Sequence, residues 1–281
     1  IAALFPSEYI HIGGDEVNTK SWIECTNCQK AIKNNNLKNE HELQSFFNKD
    51  IEKFLHSKGK RLIGWDEIVD GGLSNDATIM WWRNWAPKAR YIAANNGSDM
   101  IICPDFEYYF DFTNEATPLD KVYNYEPVPE DFTKEQEKHV LGVQANLWAE
   151  RIPNFGRLQY QAFPRLLALA ETGWTTEKDR NYDNFQERMK LQYHRLDELN
   201  IKYYIPSVKG TTDKIAFLET TTITLESPLE EMEIYYTLDG TKPSDKSNKY
   251  TEPFVISENT ILKTIAYRGN IASEIKTSTI E

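Results

Sequence analysis

The sequence predicts an α/β fold, part of a (β/α)8 barrel followed by a small antiparallel β-sandwich, and three observations lead there. Short apolar strands alternate with amphipathic helical segments over residues 10–199, which implies parallel βα units. Acids, Trp and Tyr recur at the C-terminal end of these strands or just after it, where such a barrel assembles its active site. From residue 215 the pattern changes to alternating apolar and polar residues broken by turn signals such as Asp239-Gly240 and Arg268-Gly269-Asn270, the signature of a sandwich.

The elements follow in order. Residues 10–14 form the first strand, which ends in Gly13 and Gly14. Residues 17–39 are polar and read as irregular, with a turn at Asn34-Asn35-Asn36. A helix is expected over 40–57, with Leu43, Phe46, Phe47, Ile51, Phe54 and Leu55 on its buried face and Gly59 as its stop. Strands follow at 61–65 and 78–82, a helix at 87–95, and strands at 99–103 and 140–146. One helix is expected over 156–171 and another over 182–199. Five strands are thus expected, whereas a complete barrel has eight and about 250 residues. The remaining units are expected before Ile1, and the chain, which lacks an initiator Met, is expected to be a processed or excised piece whose other barrel half exists as a separate piece or is not included in this chain. The organisation is residues 1–205 for the barrel part, 206–212 for a linker and 213–281 for the sandwich.

A net charge of −11, from 32 basic and 43 acidic residues, argues against a nucleic-acid partner, which would favour a basic face. No stretch approaches the length of a membrane-spanning helix. Cys25 and Cys28 form a Cys-x-x-Cys pair, but no second pair completes a zinc site and the thioredoxin context is missing, so a structural loop role is expected. Cys103, after an apolar run, is expected to be buried. No metal set is assembled in the sequence.

The centre of the chain is Ile10-His11-Ile12-Gly13-Gly14-Asp15-Glu16. Consecutive side chains of a strand point to opposite faces, so Asp15 and Glu16 can share a pocket only where the strand is distorted, which the two glycines permit. Two close carboxylates resist joint ionisation, which lets one stay protonated and one charged. The alternative is a helix N-cap aspartate with a first-turn glutamate. His-Ile-Gly-Gly-Asp-Glu-Val resembles the active-site signature of glycoside hydrolase family 20, the β-N-acetylhexosaminidases. Further landmarks come in the family's order: Gly64-Trp65-Asp66-Glu67, Trp81-Trp82-Arg83, Tyr108-Tyr109-Phe110-Asp111, Gln144-Ala145-Asn146-Leu147-Trp148-Ala149-Glu150, and Phe163-Pro164-Arg165-Leu166-Leu167-Ala168-Leu169-Ala170-Glu171. The resemblance covers about residues 1–205, and Tyr235-Tyr236-Thr237-Leu238-Asp239-Gly240 resembles the sandwich appended to many bacterial hexosaminidases.

The resemblance implies an exo-acting hydrolase that removes terminal β-linked N-acetylglucosamine or N-acetylgalactosamine with substrate assistance, the acetamido oxygen attacking C1 to form an oxazolinium ion. It implies Glu16 as general acid and later base, Asp15 as partner of the acetamido group, and Tyr109, rather than its neighbour Tyr108, as donor to the acetamido oxygen. Asp111 and Glu150 would bind sugar hydroxyls, and Trp65, Trp82 and Trp148 would form apolar walls. His11 is expected to support or touch the site, Trp81 to be core, and Asp66 and Glu67 to be supporting loop acids. The first three barrel units would carry an arginine that grips the sugar, which lies outside this chain. The expected partner is a carbohydrate substrate plus the other barrel half, with no cofactor, no metal and no nucleic acid. The expected location is periplasmic or extracellular in a bacterium. A carbohydrate-binding module, an incomplete fragment, or another barrel glycosidase using Asp15 and Glu16 directly are the alternatives.

Overall fold

The computed structural model describes residues 1–74 and 76–281. The chain divides into two compact units, Ile1–Arg151 with Arg165–Tyr182, and Ile152–Pro164 with Asp183–Glu281.

The first unit is built on a five-stranded parallel sheet in the order β1-β2-β3-β4-β5. The chain runs through β1 (Tyr9–His11), α1 (Lys20–Glu24), α2 (Thr26–Asn34), α3 (Glu40–His56), β2 (Arg61–Trp65), β3 (Thr78–Trp81), α4 (Lys88–Asn95), β4 (Met100–Ile102), α5 (Asp105–Tyr108), α6 (Leu119–Asn124), α7 (Lys134–Glu137) and β5 (Val140–Val143). After α8 (Phe155–Ala162), which belongs to the second unit, α9 (Arg165–Trp174) returns to the first. Because the strands pair in chain order and all run the same way, their carboxyl ends lie along one side of the sheet. Leu62, Ile79, Trp81, Met100, Ile102, Ala93 and Val69 form the core beneath it. Trp81 is buried there, as its alternation with Trp82 predicts, with Arg90 stacked 4.0 Å from its ring.

Three expectations need correction. Residues 17–39 carry two helices, α1 and α2, instead of irregular chain. Only Ile32 of α2 is buried, so the apolar pattern that would announce a helix is nearly absent; Cys25 caps it instead, its sulfur accepting the Cys28 N–H at 3.3 Å. The face of α3 is rotated from the one expected: Gln44, Ser45, Glu52 and Leu55 point inward while Phe47 and Phe54 are exposed. Here polar side chains have tertiary partners: Gln44 donates to the Gly14 carbonyl at 2.9 Å and Ser45 to the Gly72 carbonyl at 2.6 Å. The helix expected over 156–171 is two helices, broken at Phe163-Pro164. A residue before proline is driven out of helical conformation, and Phe163 sits at φ −104, ψ 139.

The second unit contains α8, α10 (Tyr182–Glu198) and the strands β6 (Lys214–Ile215), β7 (Thr221–Ile223), β8 (Glu233–Thr237), β9 (Asn248–Lys249), β10 (Phe254–Ile256), β11 (Thr260–Arg268), β12 (Ile271–Ala272) and β13 (Lys276–Ile280). Strands β7 and β10 pair antiparallel, and the larger sheet runs β6-β13-β11-β8-β9 with β12 on β11. Its pairings are antiparallel except β6 with β13, which is parallel. Ile223, Leu225, Ile234, Leu262, Ala266 and Ile280 form its core. Arg268 fastens β11 to α10 through Asp197 at 2.9 Å.

Candidate active site

The turn after β1 has a contorted backbone. Gly13 and Gly14 have φ of +77° and +99°, and Glu16 is itself left-handed at +51°. A left-handed non-glycine residue costs about 1–2 kcal/mol, so Glu16 is held there by its surroundings. Ladder-like bonds continue past β1, from the Ile12 N–H to the Ile63 carbonyl and from the Trp65 N–H to the Gly13 carbonyl, both at 2.9 Å. Gly14 fits for a second reason: a Cβ there would lie 2.6 Å from Ile68 Cγ2. The strand therefore breaks where the glycines predict. It delivers Asp15 and Glu16 as exposed side chains on the carboxyl side of the sheet, with neither of them on a helix. His11 precedes them. Its Nδ1 accepts the Gly13 N–H at 3.0 Å and its ring meets the edge of Trp65 at 5.0 Å between centroids. Although one side is open to solvent, packing lowers its pKa, with the charge of Asp15 pulling the other way. A neutral ring is also what an accepting Nδ1 requires.

The ends of β2 and β3 carry a second cluster. Asp66 is fully buried and accepts the Arg83 Nε–H at 2.7 Å and the Trp82 main-chain N–H at 3.1 Å. Burial nevertheless outweighs these partners and raises its pKa. Glu67, on the same turn, accepts the Trp82 indole N–H at 3.0 Å through Oε2 and the Glu16 main-chain N–H at 3.4 Å through Oε1. Its pKa is also raised by burial, opposed chiefly by the indole.

The ends of β4 and β5 supply the rest. Tyr109 and Asn146 lie side by side in a parallel bridge, the Phe110 N–H donating to the Asn146 carbonyl at 2.8 Å. Tyr109 stacks on Trp82 at 6.0 Å and approaches Trp148 at 6.0 Å, and Trp148 in turn meets Trp65 at 6.0 Å. The structure thus joins Trp82, Tyr109, Trp148, Trp65 and His11 into one continuous aromatic row along the strand ends. Tyr108 points the other way, fully buried against Tyr125 at 5.2 Å. Burial raises the Tyr109 phenol pKa, with the Asn146 and Trp148 side chains working against it. Asp111 is buried, 3.9 Å from Arg151, and desolvation raises its pKa against the pull of Arg151 and Arg165. Glu150 is exposed beside it and pushes in the same direction as burial.

Sequence reasoning passed over the residue that shapes this last segment. Arg165 is fully buried and donates to the carbonyls of Phe110 at 2.7 Å, Phe112 at 3.1 Å and Thr117 at 3.2 Å, with its guanidinium 4.7 Å from the Phe110 ring. A single side chain so orders the loop that carries Asp111. The only signal was its place in Phe163-Pro164-Arg165, at a helix start that periodicity marks as apolar. Among the described residues no group of three or more His, Cys, Asp or Glu is placed to hold a metal, and no helix is long and apolar enough to cross a membrane.

Comparison with known proteins identifies the family. The family model described as "Glycosyl hydrolase family 20, catalytic domain" matches residues 1–177, and one described as "Fn3 associated" matches residues 223–280. A β-hexosaminidase of Porphyromonas gingivalis is 42% identical over 278 residues, covering 94% of this chain and 35% of that protein. A β-hexosaminidase of Vibrio furnissii is 36% identical over 191 residues, covering 63% of this chain and 31% of its own length. The solved structure of a family 20 exo-β-N-acetylglucosaminidase from Vibrio harveyi, in complex with N-acetylglucosamine, superposes with a TM-score of 0.64 at 35% identity, over 72% of this chain and 34% of that one. The chain therefore spans about a third of the length of these relatives. The solved neighbours are barrel enzymes, and the parallel sheet of the first unit, with the separate β-rich unit after it, matches part of such a barrel plus a β domain. With its family model matched over more than half its length, the chain belongs to glycosyl hydrolase family 20.

Proposed function

We propose that this chain is the C-terminal part of the catalytic barrel of an exo-β-N-acetylhexosaminidase, contributing about strands four to eight, followed by a β-sandwich. The barrel part would span residues 1–205, a linker 206–212 and the sandwich 213–281. The free edges of β1 and β5 in the open sheet are where the remaining parallel strands would pair. The substrate would be a glycan ending in β-linked N-acetylglucosamine or N-acetylgalactosamine, met in the periplasm or outside a bacterial cell. No cofactor or metal is required by this chemistry.

The observation that carries the reading is the glycine-made break after β1, which delivers Asp15 and Glu16 on the carboxyl side of the sheet, the side on which Trp65, Trp148, Tyr109 and Trp82 form a continuous row. Flat aromatic faces bind the apolar side of a sugar ring and the methyl of an acetamido group. Glu16, reaching solvent, protonates the glycosidic oxygen as the leaving group departs and later takes a proton from water. Asp15 orients the acetamido nitrogen and stabilises the positive charge that develops as the carbonyl oxygen attacks C1. Tyr109 holds that oxygen in place. Its raised pKa keeps the phenol protonated and therefore a donor. Asp111 and Glu150 accept hydrogen bonds from sugar hydroxyls, and His11 buttresses Trp65.

Release of 4-nitrophenol from its N-acetyl-β-glucosaminide by the full-length protein tests the reading. We expect turnover that Glu16→Gln abolishes, and no comparable turnover of the plain β-glucoside, which lacks the internal nucleophile. Equal rates on the two substrates would overturn the substrate-assisted mechanism.

A further inference from the structure

We propose that Glu67 is a positioning residue that locks the backbone of the proposed acid Glu16 to the Trp82 wall. The inference rests on the reading of Glu16 given above. Glu67 stands on the short turn after β2, between the two segments it joins. Its two oxygens are divided between them: Oε1 takes the Glu16 N–H at 3.4 Å and Oε2 takes the Trp82 indole N–H at 3.0 Å. Both groups sit in places that need such a hold. Glu16 has a left-handed backbone without being glycine, and an outlier of this kind persists only when its surroundings determine it. Trp82 stacks on Tyr109 and meets Trp85 in a T-shaped contact, so its indole N–H sets how the ring stands in the row. The side chain of Glu67 is only 11% exposed; burial raises its pKa, and the charge of Arg83, with Nε 3.7 Å from Oε2, together with the Trp82 indole N–H, works against that rise. Arg83 is itself fixed by Asp66. The four consecutive residues Trp65, Asp66, Glu67 and Ile68 thereby supply a wall, an anchor for Arg83, the bracket proposed here and the contact that forces glycine at position 14.

The test uses the full-length protein and 4-nitrophenyl N-acetyl-β-glucosaminide. Glu67→Gln keeps the shape but turns one oxygen into an NH2 that cannot accept, so the glutamine must release either Glu16 or Trp82. We expect kcat to fall by about tenfold to a hundredfold, the scale of a small misplacement of a reacting group, with KM within about threefold and an unchanged thermal midpoint. In a Trp82→Phe background the competition for the side chain is gone and its carbonyl is free to serve Glu16. There the same substitution should lower kcat by no more than about twofold to threefold, the non-additivity of groups that act as a unit. A merely structural Glu67 would instead lower the thermal midpoint and give the same fold-loss in both backgrounds, and that result, or a kcat within twofold of the parent, overturns the proposal. A second reading needs no activity: hydrogen–deuterium exchange over residues 13–18 should be faster in Glu67→Leu, which can accept neither bond, than in the parent, and equal exchange would overturn the bracket. Undiminished activity of Glu16→Gln would instead remove the catalytic reading of Glu16 and leave the exchange result to decide the bracket alone.

Discussion

Replacing Arg83 by Met is the most informative single perturbation of the site's foundations. Asp66 is fully buried, and Arg83 is its charged partner at 2.7 Å, while the Trp82 N–H at 3.1 Å is its main neutral one. Methionine fills similar volume but leaves the carboxylate uncompensated. Removing one partner of a buried pair costs about 3–5 kcal/mol. Protonation sets a ceiling: neutralising an aspartate of ordinary pKa at pH 7 costs about 4 kcal/mol, three units at about 1.4 each. The expected loss at pH 7 is therefore about 3–4 kcal/mol, measured by denaturant unfolding followed by tryptophan fluorescence. The sign of the pH dependence follows. Burial already raises the Asp66 pKa, and without Arg83 it rises further. The folded variant then holds a proton that the unfolded chain has released, so its stability falls as pH rises from about 4 toward the folded pKa, and its deficit relative to the parent shrinks on acidification. Asp66→Asn in the same background removes the charge and should recover most of the loss. A deficit below about 1 kcal/mol at pH 7, equal deficits at pH 5 and pH 7, or no recovery in the double variant would refute the reasoning, with magnitudes judged against the same buried-pair range.

Two further outcomes are expected. Gly14→Ala combines a φ of +99° with a Cβ 2.6 Å from Ile68 Cγ2, so it should cost about 2–4 kcal/mol, whereas Gly97→Ala, with φ +73° and open space around it, should cost only the backbone part, about 1–2 kcal/mol; equal losses in thermal unfolding would contradict the clash. The Cys25 thiol, its sulfur bonded by Cys28 at the start of α2, has a lowered pKa, while that of Cys28 is raised and that of Cys103 is raised by burial; iodoacetamide at neutral pH, read by peptide mapping, should label Cys25 first and Cys103 only after unfolding.

Much of the fold was legible because strands and helices differ in apolar period. Segments such as 61–65, 78–81 and 260–268 carry enough apolar or β-branched residues to announce themselves, and the structure places strands there. The α1–α2 segment carries too few apolar residues to announce itself, because α2 is held by a cysteine cap and by Gln29, which donates to the Trp22 carbonyl and to Glu40. The rotated face of α3 was hidden for the opposite reason. Its inward polar residues are justified only by carbonyls of Gly14 and Gly72 that lie far away in sequence.

What the sequence by itself determined was the alternation of strand and helix, the glycine-made break before Asp15 and Glu16, the choice of Trp81 over Trp82 for the core, and the motifs that place the chain in its family. These depend on local stereochemistry, on the two-residue period of a strand and on short strings of neighbours. Only the tertiary structure decided that Tyr109 faces Trp82 and Trp148 while Tyr108 is buried, that Arg165 gathers the carbonyls of the loop bearing Asp111, and that Glu67 reaches both Glu16 and Trp82. Each of these is a pairing between residues at least 15 positions apart. A side chain's partner across such a distance is set by sheet order and strand register, which no local pattern of residues encodes.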